Sequence, residues 1–131
     1  MDFSLSQLRW KYRPLLLFSP GENDPALHRQ QKLIDDATDA LKERDMVVIR
    51  VVASATGHYF DPATGKLERL SEETVKQLRL DHDVLLGDFA LILIGKDGTE
   101  KRRERVVTPL QPIFNQIDSM PMRKEEMRDA E

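Results

Sequence analysis

The sequence contains no cysteine, and this absence removes several functions at once. Disulfide bonds, thiolate nucleophiles and cysteine-ligated metals are excluded, and cysteine usage gives no information on the cellular compartment. The chain also has no excess of basic residues. Its formal net charge of -3 gives no general reason to expect nucleic-acid binding, which needs a basic surface. No apolar run approaches the length needed to cross a bilayer, so we expect no membrane insertion.

The first residues also lack the uncharged apolar core of a signal peptide. We expect a secreted or periplasmic location if a leader was removed ahead of residue 1, and a cytoplasmic location otherwise. The composition is that of one folded domain, with 131 residues of which 40% are hydrophobic and 33% charged. We predict a single domain over residues 1–131, in which residues 1–12 are an N-terminal lead-in and residues 121–131 a short C-terminal helix and tail.

The lead-in mixes apolar and polar side chains and holds the only tryptophan, Trp10. Leu5 and Leu8 have the spacing of a short helical turn. We interpret this segment as one that lays its apolar side chains over the edge of the domain. The alternative is a partner-binding arm with Trp10 as its anchor.

The stretch Arg13–Asp24, RPLLLFSPGEND, organises the rest of the prediction. Its unbroken apolar run, residues 15–18, has a proline nearby on each side and predicts a strand covered on both faces. A polar loop then ends the strand. Asn23 or Asp24 can cap the following helix, and Pro25 suits the first helical position, where its missing N–H costs nothing.

The helix that begins at Pro25 is predicted to run to Arg44, with polar residues on its outer faces. The β-branched run Met46–Val52 predicts a second strand. A helix between two apolar strands predicts a right-handed βαβ unit with parallel strands. The buried stripe of the helix has three-and-four spacing, and its members are Leu27, Gln30, Ile34, Ala37 and Leu41.

Residues 53–70 are predicted to form a long connection with little regular structure. Within it, a turn separates two plausible hairpin arms, Tyr59–Phe60 and Leu67. Ser71 then caps a second helix.

The remaining segments alternate between apolar and charged. Phe89–Ile94 predicts a third strand, and the Asp97-Gly98 pair predicts a tight type I′ hairpin turn. The fourth strand, Glu100–Val107, is mostly charged, which suits the edge of a sheet. A third helix and a short last helical turn, Met122–Met127, close the chain.

This order of segments predicts an α/β fold, namely a thioredoxin-like three-layer α/β/α sandwich. The central sheet is predicted to be mixed and four-stranded, in the order 2-1-3-4 along the chain, with a terminal antiparallel hairpin. The apolar run 15–18 then lies in the middle of the sheet and the charged strand at its rim.

Four groups of residues stand out together: WKYRPLLLF at 10–18, RD at 44–45, GKDG with EK at 95–101, and IDSMPMR at 117–123. In combination they resemble the signature segments of the domain of unknown function 4174 family, which includes bacterial single-domain proteins and repeated domains of secreted, matrix-associated animal proteins. The resemblance covers nearly the whole chain. It implies a thioredoxin-like fold and often export. It implies no established activity, although the fold alone suggests peroxiredoxin-like redox chemistry as a hypothesis.

Thioredoxin-type chemistry needs a thiolate of low pKa at the start of the helix after the first strand. Here that loop, residues 19–24, contains no sulfur. The fold also usually carries a cis-proline just before its third strand, and residues 86–89 contain no proline. We therefore exclude thiol–disulfide exchange and cysteine-based peroxidase activity by this chain.

Three functional hypotheses from different classes remain. The first, which we favour, is a non-catalytic module that binds an unidentified protein or peptide. We predict no cofactor and no metal site. The candidate binding residues, in the two loops that follow and precede predicted strands, are Pro20, Gly21, Glu22, Asn23, Asp24, Gly87 and Asp88.

The second hypothesis is a non-thiol enzyme or anion-binding protein that uses the loop after the first strand. Its carboxylates would need a histidine, and nothing in the sequence brings His28, His58 or His82 together. The third hypothesis is a self-associating structural or adhesion domain, whose partner is a second copy in a homodimer. Its motivation is a set of large apolar residues in irregular segments: Trp10, Tyr59, Phe60, Met120 and Met122.

Overall fold

The computed structural model describes residues 3–130 and is built around one mixed sheet. The predicted lead-in and tail also include Met1, Asp2 and Glu131, which lie outside the described residues. The strands are β1 Arg13–Ser19, β2 Met46–Val52, β3 Thr56–Asp61, β4 Lys66–Arg69, β5 Ala90–Ile94 and β6 Glu100–Glu104. The helices are α1 Pro25–Asp35, α2 Thr38–Glu43, α3 Glu72–Asp81, α4 Leu110–Asp118 and α5 Pro121–Asp129, preceded by a 3₁₀ turn at Leu5–Gln7. The strands lie in the order β4-β3-β2-β1-β5-β6.

β1 lies inside the sheet, and each of its residues is buried. It pairs with β2 in parallel and with β5 in antiparallel orientation. Leu16 and Phe18 face one side, where they pack in a cluster with α3, and Leu15 and Leu17 face the other, where they pack with α1, α2 and α4. Helices on both faces of a mixed sheet confirm the predicted thioredoxin-like α/β/α sandwich.

The sheet has six strands rather than the predicted four, because the segment after β2 joins it. β3 pairs with β2, and β4 pairs with β3, both in antiparallel orientation. The approach is close at Gly57, where a Cβ atom would lie 2.9 Å from the side chains of both Leu70 and Val75. Because Gly57 has no side chain, β3 can approach the buried side chains of Leu70 and Val75.

The single helix predicted from Pro25 to Arg44 is two helices, α1 and α2. The backbone leaves helical geometry at Ala37, where φ is -120° and ψ is 26°. Thr38 Oγ1 donates a hydrogen bond to the carbonyl of Asp35 at 3.0 Å. Such a local bond competes with the helical pattern, as threonine side chains often do. The apolar stripe continues across the break, and its buried members are Leu27, Gln30, Ile34 and Leu41.

The hairpin between β5 and β6 is wider than the predicted type I′ turn. Ile94 pairs with Glu100, so residues 95–99 form the connection. A type I′ turn needs a positive φ at both central residues, whereas only Gly98, with a φ of 86°, has one in this connection. The N–H of Gly98 instead donates to the carbonyl of Gly95 at 3.0 Å.

The end of the chain is more helical than predicted. α5 covers Pro121–Asp129, with proline at its start, and extends the predicted turn on both sides.

β6 is shorter than predicted and ends at Glu104. Beyond it, the buried amide of Gln30 accepts from the N–H of Thr108 at 2.8 Å and donates to its carbonyl at 3.0 Å. These two bonds use the backbone groups of Thr108, so that this residue does not extend the sheet.

The described part of the lead-in packs on the α3 side of the sheet. Leu8 is buried there. Trp10, by contrast, is 57% exposed and has a φ of 71°. Its N–H donates to the carbonyl of Lys96 at 2.6 Å. The other lead-in residues that pack against this core are Phe3, Leu5 and Tyr12.

Arg13, the first residue of β1, is the centre of an ion network at one end of the sheet. Its side chain is 1% exposed. Its guanidinium donates to the two carboxylate oxygens of Glu126 at 3.1 and 2.9 Å and to the carbonyl of Arg44 at 2.8 Å. Lys96 donates to the same Glu126 at 2.7 Å and to Asp45 at 2.8 Å. Glu126 of α5 therefore links the start of β1 to Lys96, which lies just beyond β5.

A second set of ion pairs continues the network. Asp118, at the end of α4, accepts from Arg44 at 3.1 and 2.9 Å and from Arg123 at 3.0 Å. Arg123 is 5% exposed and also donates to the carbonyl of Glu43 at 3.1 Å. The cations of the network are thus buried and its carboxylates lie further out. Most of its members belong to the segments that carry the family resemblance: Arg13, Arg44, Asp45, Lys96, Asp118 and Arg123.

We predict that Glu126→Gln lowers the free energy of unfolding by about 2 to 4 kcal/mol, because it leaves two buried cations without their shared carboxylate. Urea denaturation at pH 7 measures this change. The matched control is Glu125→Gln on the same helix, which removes only a pair at 4.0 Å between exposed side chains. Equal effects of the two substitutions would contradict the role of Glu126.

The same carboxylate gives the fold a defined pH dependence. Burial raises the pKa of Glu126, but hydrogen bonds and charge from Arg13 and Lys96 outweigh it, so the pKa lies below its ordinary value of 4.5. The stabilisation is therefore present above pH 4.5 and is lost as the pH falls through the lowered pKa. Below that pH, we expect the stabilities of the wild type and Glu126→Gln to converge, as measured by urea denaturation across an acid series.

Candidate functional site

Two loops meet at the end of the sheet opposite to the ion network. One loop follows β1 and leads into α1, and the other precedes β5. Because β1 and β5 are antiparallel and Phe18 pairs with Ala90, the end of β1 lies beside the start of β5. The candidate residues predicted from the sequence, 20–24 and 87–88, are therefore on neighbouring loops, as the predicted fold requires.

Ser19 and Asp24 fix the shape of the first loop. Ser19 is fully buried, and its Oγ lies 3.0 Å from both Asp24 Oδ2 and the carbonyl of Gly21. Asp24 is the N-cap of α1, since its other carboxylate oxygen accepts from the N–H of Ala26 at 3.1 Å. Both oxygens of Asp24 are thus used inside the protein, and Asp24 has a structural role.

Arg79, which sequence analysis missed, joins the loops to each other. Its guanidinium is 6% exposed and donates to the carbonyls of Ser19 at 3.0 Å, Ala53 at 3.1 Å and Leu85 at 3.1 Å. Burial lowers the pKa of Arg79 and the charge of Asp88 opposes that shift, and an arginine still remains charged in proteins. The only sequence signal for it is its position one turn after Val75 on the buried face of α3.

Glu22 is exposed but already has partners. Its carboxylate forms an ion pair with Arg50 of β2 at 2.7 Å. Its backbone carbonyl lies 2.6 Å from Nε2 of His28. Burial and then the charge of Arg50 lower the pKa of His58, while the charge of Glu22 raises it. The structure therefore brings His28 and His58 near Glu22, which the sequence did not indicate.

The other candidate residues are open to solvent. Pro20, Asn23 and Gly87 are exposed, and a Cβ atom built on Gly87 meets nothing within 4 Å. Asp88 is half-buried, and its nearest cation, Arg105, is 3.9 Å away. The space beside Gly87 in the second loop is therefore open.

Two exposed leucines, which sequence analysis did not select, lie in the second loop. Leu85 is 70% exposed and Leu86 is 55% exposed. The carbonyl of Leu85 is one of the three bound by Arg79, so the backbone that carries these side chains is fixed to the end of β1. Adjacent exposed apolar side chains on a fixed backbone are a feature of interaction surfaces.

Among the described residues, no group of three or more histidine, aspartate and glutamate side chains is placed to hold a metal ion. His82 lies on the opposite face of the sheet from Glu22, with its ring 6.4 Å from that of Phe18, and burial lowers the pKa of His82. Within residues 3–130, no helix has both the length and the apolar composition needed to span a bilayer.

A family model described as "Domain of unknown function (DUF4174)" matches residues 4–126. The sushi repeat-containing protein SRPX of Rattus norvegicus is 30% identical over 126 residues, which are 94% of this chain and 26% of the rat protein. The coiled-coil domain-containing protein 80 of Danio rerio is 26% identical over 133 residues, which are 94% of this chain and 15% of that protein. The chain thus spans about a quarter or less of these curated relatives.

Solved structures of thioredoxin-fold proteins are similar to most of the chain. Thioredoxin peroxidase I of Plasmodium yoelii has a TM-score of 0.64 and 21% identity, covering 94% of this chain and 80% of that one. A thioredoxin-fold protein of Helicobacter pylori has a TM-score of 0.55 and 18% identity, covering 82% of this chain and 67% of that one. At these identities the similarity establishes the fold alone.

We predict that Arg79→Met lowers the free energy of unfolding by about 2 to 4 kcal/mol, because three carbonyls lose their buried donor. Hydrogen exchange should also accelerate in residues 19–24 and 84–89 before global unfolding. The matched control, Arg105→Met, removes an exposed guanidinium beside the same loop and should change stability by less than about 0.5 kcal/mol. Unchanged exchange in both loops of Arg79→Met would show that Arg79 does not hold them.

Proposed function

The chain belongs to the family of the domain of unknown function DUF4174, and on that basis we propose that it is a non-catalytic, thioredoxin-like module that binds a protein or peptide. The binding surface consists of the exposed part of the loop 20–23 together with residues 85–88. The partner contributes apolar side chains that pack on Leu85 and Leu86, and polar groups that face Asn23 and Gly87.

The observation that carries this proposal is the exposure of Leu85 and Leu86 on a loop whose backbone is bound by Arg79. A backbone that is already held in place loses little conformational entropy when a partner covers the side chains that it carries. Full burial of a leucine side chain contributes about 1.5 to 3 kcal/mol, so two of them can supply much of the affinity for a short peptide.

The occupied carboxylates support binding over catalysis. Asp24 caps α1 and Glu22 pairs with Arg50, so neither is available as an unpaired general base. The carboxylate of Asp88 lies 3.9 Å from the guanidinium of Arg105. Thiol chemistry is excluded because the chain has no cysteine. In the rat relative the matched region is 26% of a longer protein, an arrangement that suits a binding domain.

The test is a selection of random peptides on the folded domain, followed by affinity measurement of the selected peptides as monovalent ligands. We expect peptides with apolar residues, and we expect Leu85→Ser/Leu86→Ser to weaken their binding about tenfold or more. The control is Phe60→Ser/Leu67→Ser, which removes two side chains of 60% and 64% exposure at the far edge of the sheet. This control should leave the affinity unchanged.

Two outcomes would count against the proposal. One is a selection that yields no peptide with measurable affinity at high micromolar concentration. The other is peptides whose binding is insensitive to Leu85→Ser/Leu86→Ser, because such peptides bind elsewhere.

A further inference from the structure

β4, the strand at one edge of the sheet, has features of a pairing surface that the proposed function does not use. In the part of the chain that the structure describes, β3 is its only strand neighbour. Lys66, Leu67 and Arg69 of this strand are exposed. The other edge strand, β6, differs because all of its residues are charged and the carbonyl of Lys101 is bound by the side chain of Gln116 at 2.8 Å.

The backbone of β4 offers donors and acceptors at its open side. The N–H of Leu70 donates to the carbonyl of Gly57 in β3 at 2.8 Å, and the pairing continues without a bulge through Tyr59 and Glu68. In an antiparallel pair, alternate residues turn their backbone groups toward the neighbour. Glu68 therefore faces β3, while the N–H and C=O of Leu67 and Arg69 point to the open edge.

One face of this edge is apolar and uncovered. Leu67 pairs with Phe60 of β3, and the two side chains are 64% and 60% exposed. α1 and α2 cover the same face over β1 and β2, and a groove of about 710 Å³ separates these helices from the hairpin. Phe60 and Leu67 thus form an apolar row that runs across the strands and stops at the open edge.

The charges of β4 select one register for pairing with a second copy. When Leu67 lies opposite Leu67 of the second copy, Lys66 of each copy lies opposite Glu68 of the other. If the second copy is shifted by two residues in one direction, the two Glu68 side chains lie opposite each other. If it is shifted by two residues in the other direction, the two Lys66 side chains lie opposite each other. A shift by one residue turns the apolar face of one copy to the opposite side of the joined sheet. Like charges directly opposite are destabilising and opposite charges stabilising, so one alignment is favoured.

We propose that a second copy of this chain pairs with β4 in antiparallel orientation about a two-fold axis at Leu67. The two sheets then form one continuous sheet of twelve strands, twice the six of one copy. Leu67 of each copy exchanges N–H···O bonds with Leu67 of the other, and Phe60 extends the apolar row on both sides. On the opposite face, two pairs form between Lys66 and Glu68. This self-complementarity, in which residue i meets j and j meets i, is what a two-fold interface requires.

The strand is short, so the association is weak. Four residues per copy in β4 bury much less than the roughly 1,600 Å² of a standard interface. Sedimentation velocity between about 10 μM and about 1 mM protein therefore covers the range in which the dimer forms.

The test is a charge-swap series at Lys66, which is exposed, and Glu68, which is half-buried. In Lys66→Glu, both of the cross-strand pairs become pairs of glutamates. In Glu68→Lys, both become pairs of lysines. Each single substitution should raise the dimer dissociation constant about tenfold or more. The double variant Lys66→Glu/Glu68→Lys restores both opposite-charge pairs, and its dissociation constant should return to within about threefold of the wild type. Circular dichroism and the melting temperature establish that each variant is folded.

Three results would overturn the proposal. The wild type could remain monomeric over the whole concentration range. The single variants could dimerise as well as the wild type, which would place the interface elsewhere. The double variant could remain as weak as the single variants although it is folded, which would exclude this register. Leu85→Ser/Leu86→Ser should not change the dissociation constant, so that self-association and peptide binding are tested independently.

Discussion

The need to neutralise Arg13 is the constraint on which most of the structure depends. The guanidinium of Arg13 is 1% exposed, and Glu126, which lies far along the chain, supplies the carboxylate that neutralises it. Lys96 shares the same carboxylate, so the start of β1, the residues just after β5 and α5 are fixed together. The residues that this network joins are scattered over the sequence, and most of them lie in the segments that carry the family resemblance.

At the opposite end of the sheet, a buried arginine is stabilised in a different way. Arg79 is also buried, but it is held by three neutral carbonyls instead of a carboxylate. The three carbonyls belong to the last residue of β1, to the loop that follows β2 and to the loop that precedes β5, so one side chain holds these three segments together. Thioredoxin-type chemistry needs a thiolate in the loop that follows β1, and that loop contains no cysteine here.

Much of the fold follows from local patterns in the sequence. Short-range preferences that agree with the tertiary structure predict four of its features. These are the apolar run of β1, the β-branched run of β2 and the helix caps Asp24 and Ser71. The loop residues 20–24 and 87–88 could be placed together for the same reason, because their position depends only on strand order.

The features that could not be predicted depend on contacts between distant residues. The strand role of Gly57 arises from its approach to Leu70 and Val75, which no single-sequence pattern reports. The same is true of Arg79, since an arginine on a helix is usually solvated and its burial depends on three carbonyls from elsewhere. The exposure of Leu85 and Leu86 is equally invisible, because leucine beside a strand normally indicates core.

The contact between Arg13 and Glu126 has one more consequence, for the part that the last helix plays in the domain. It fixes α5 to the first residue of β1, although the two residues are 113 positions apart in the sequence. Removal of α5 would leave the buried guanidinium of Arg13 without its carboxylate. The last helix is therefore an integral part of the folded domain and not an appendage to it.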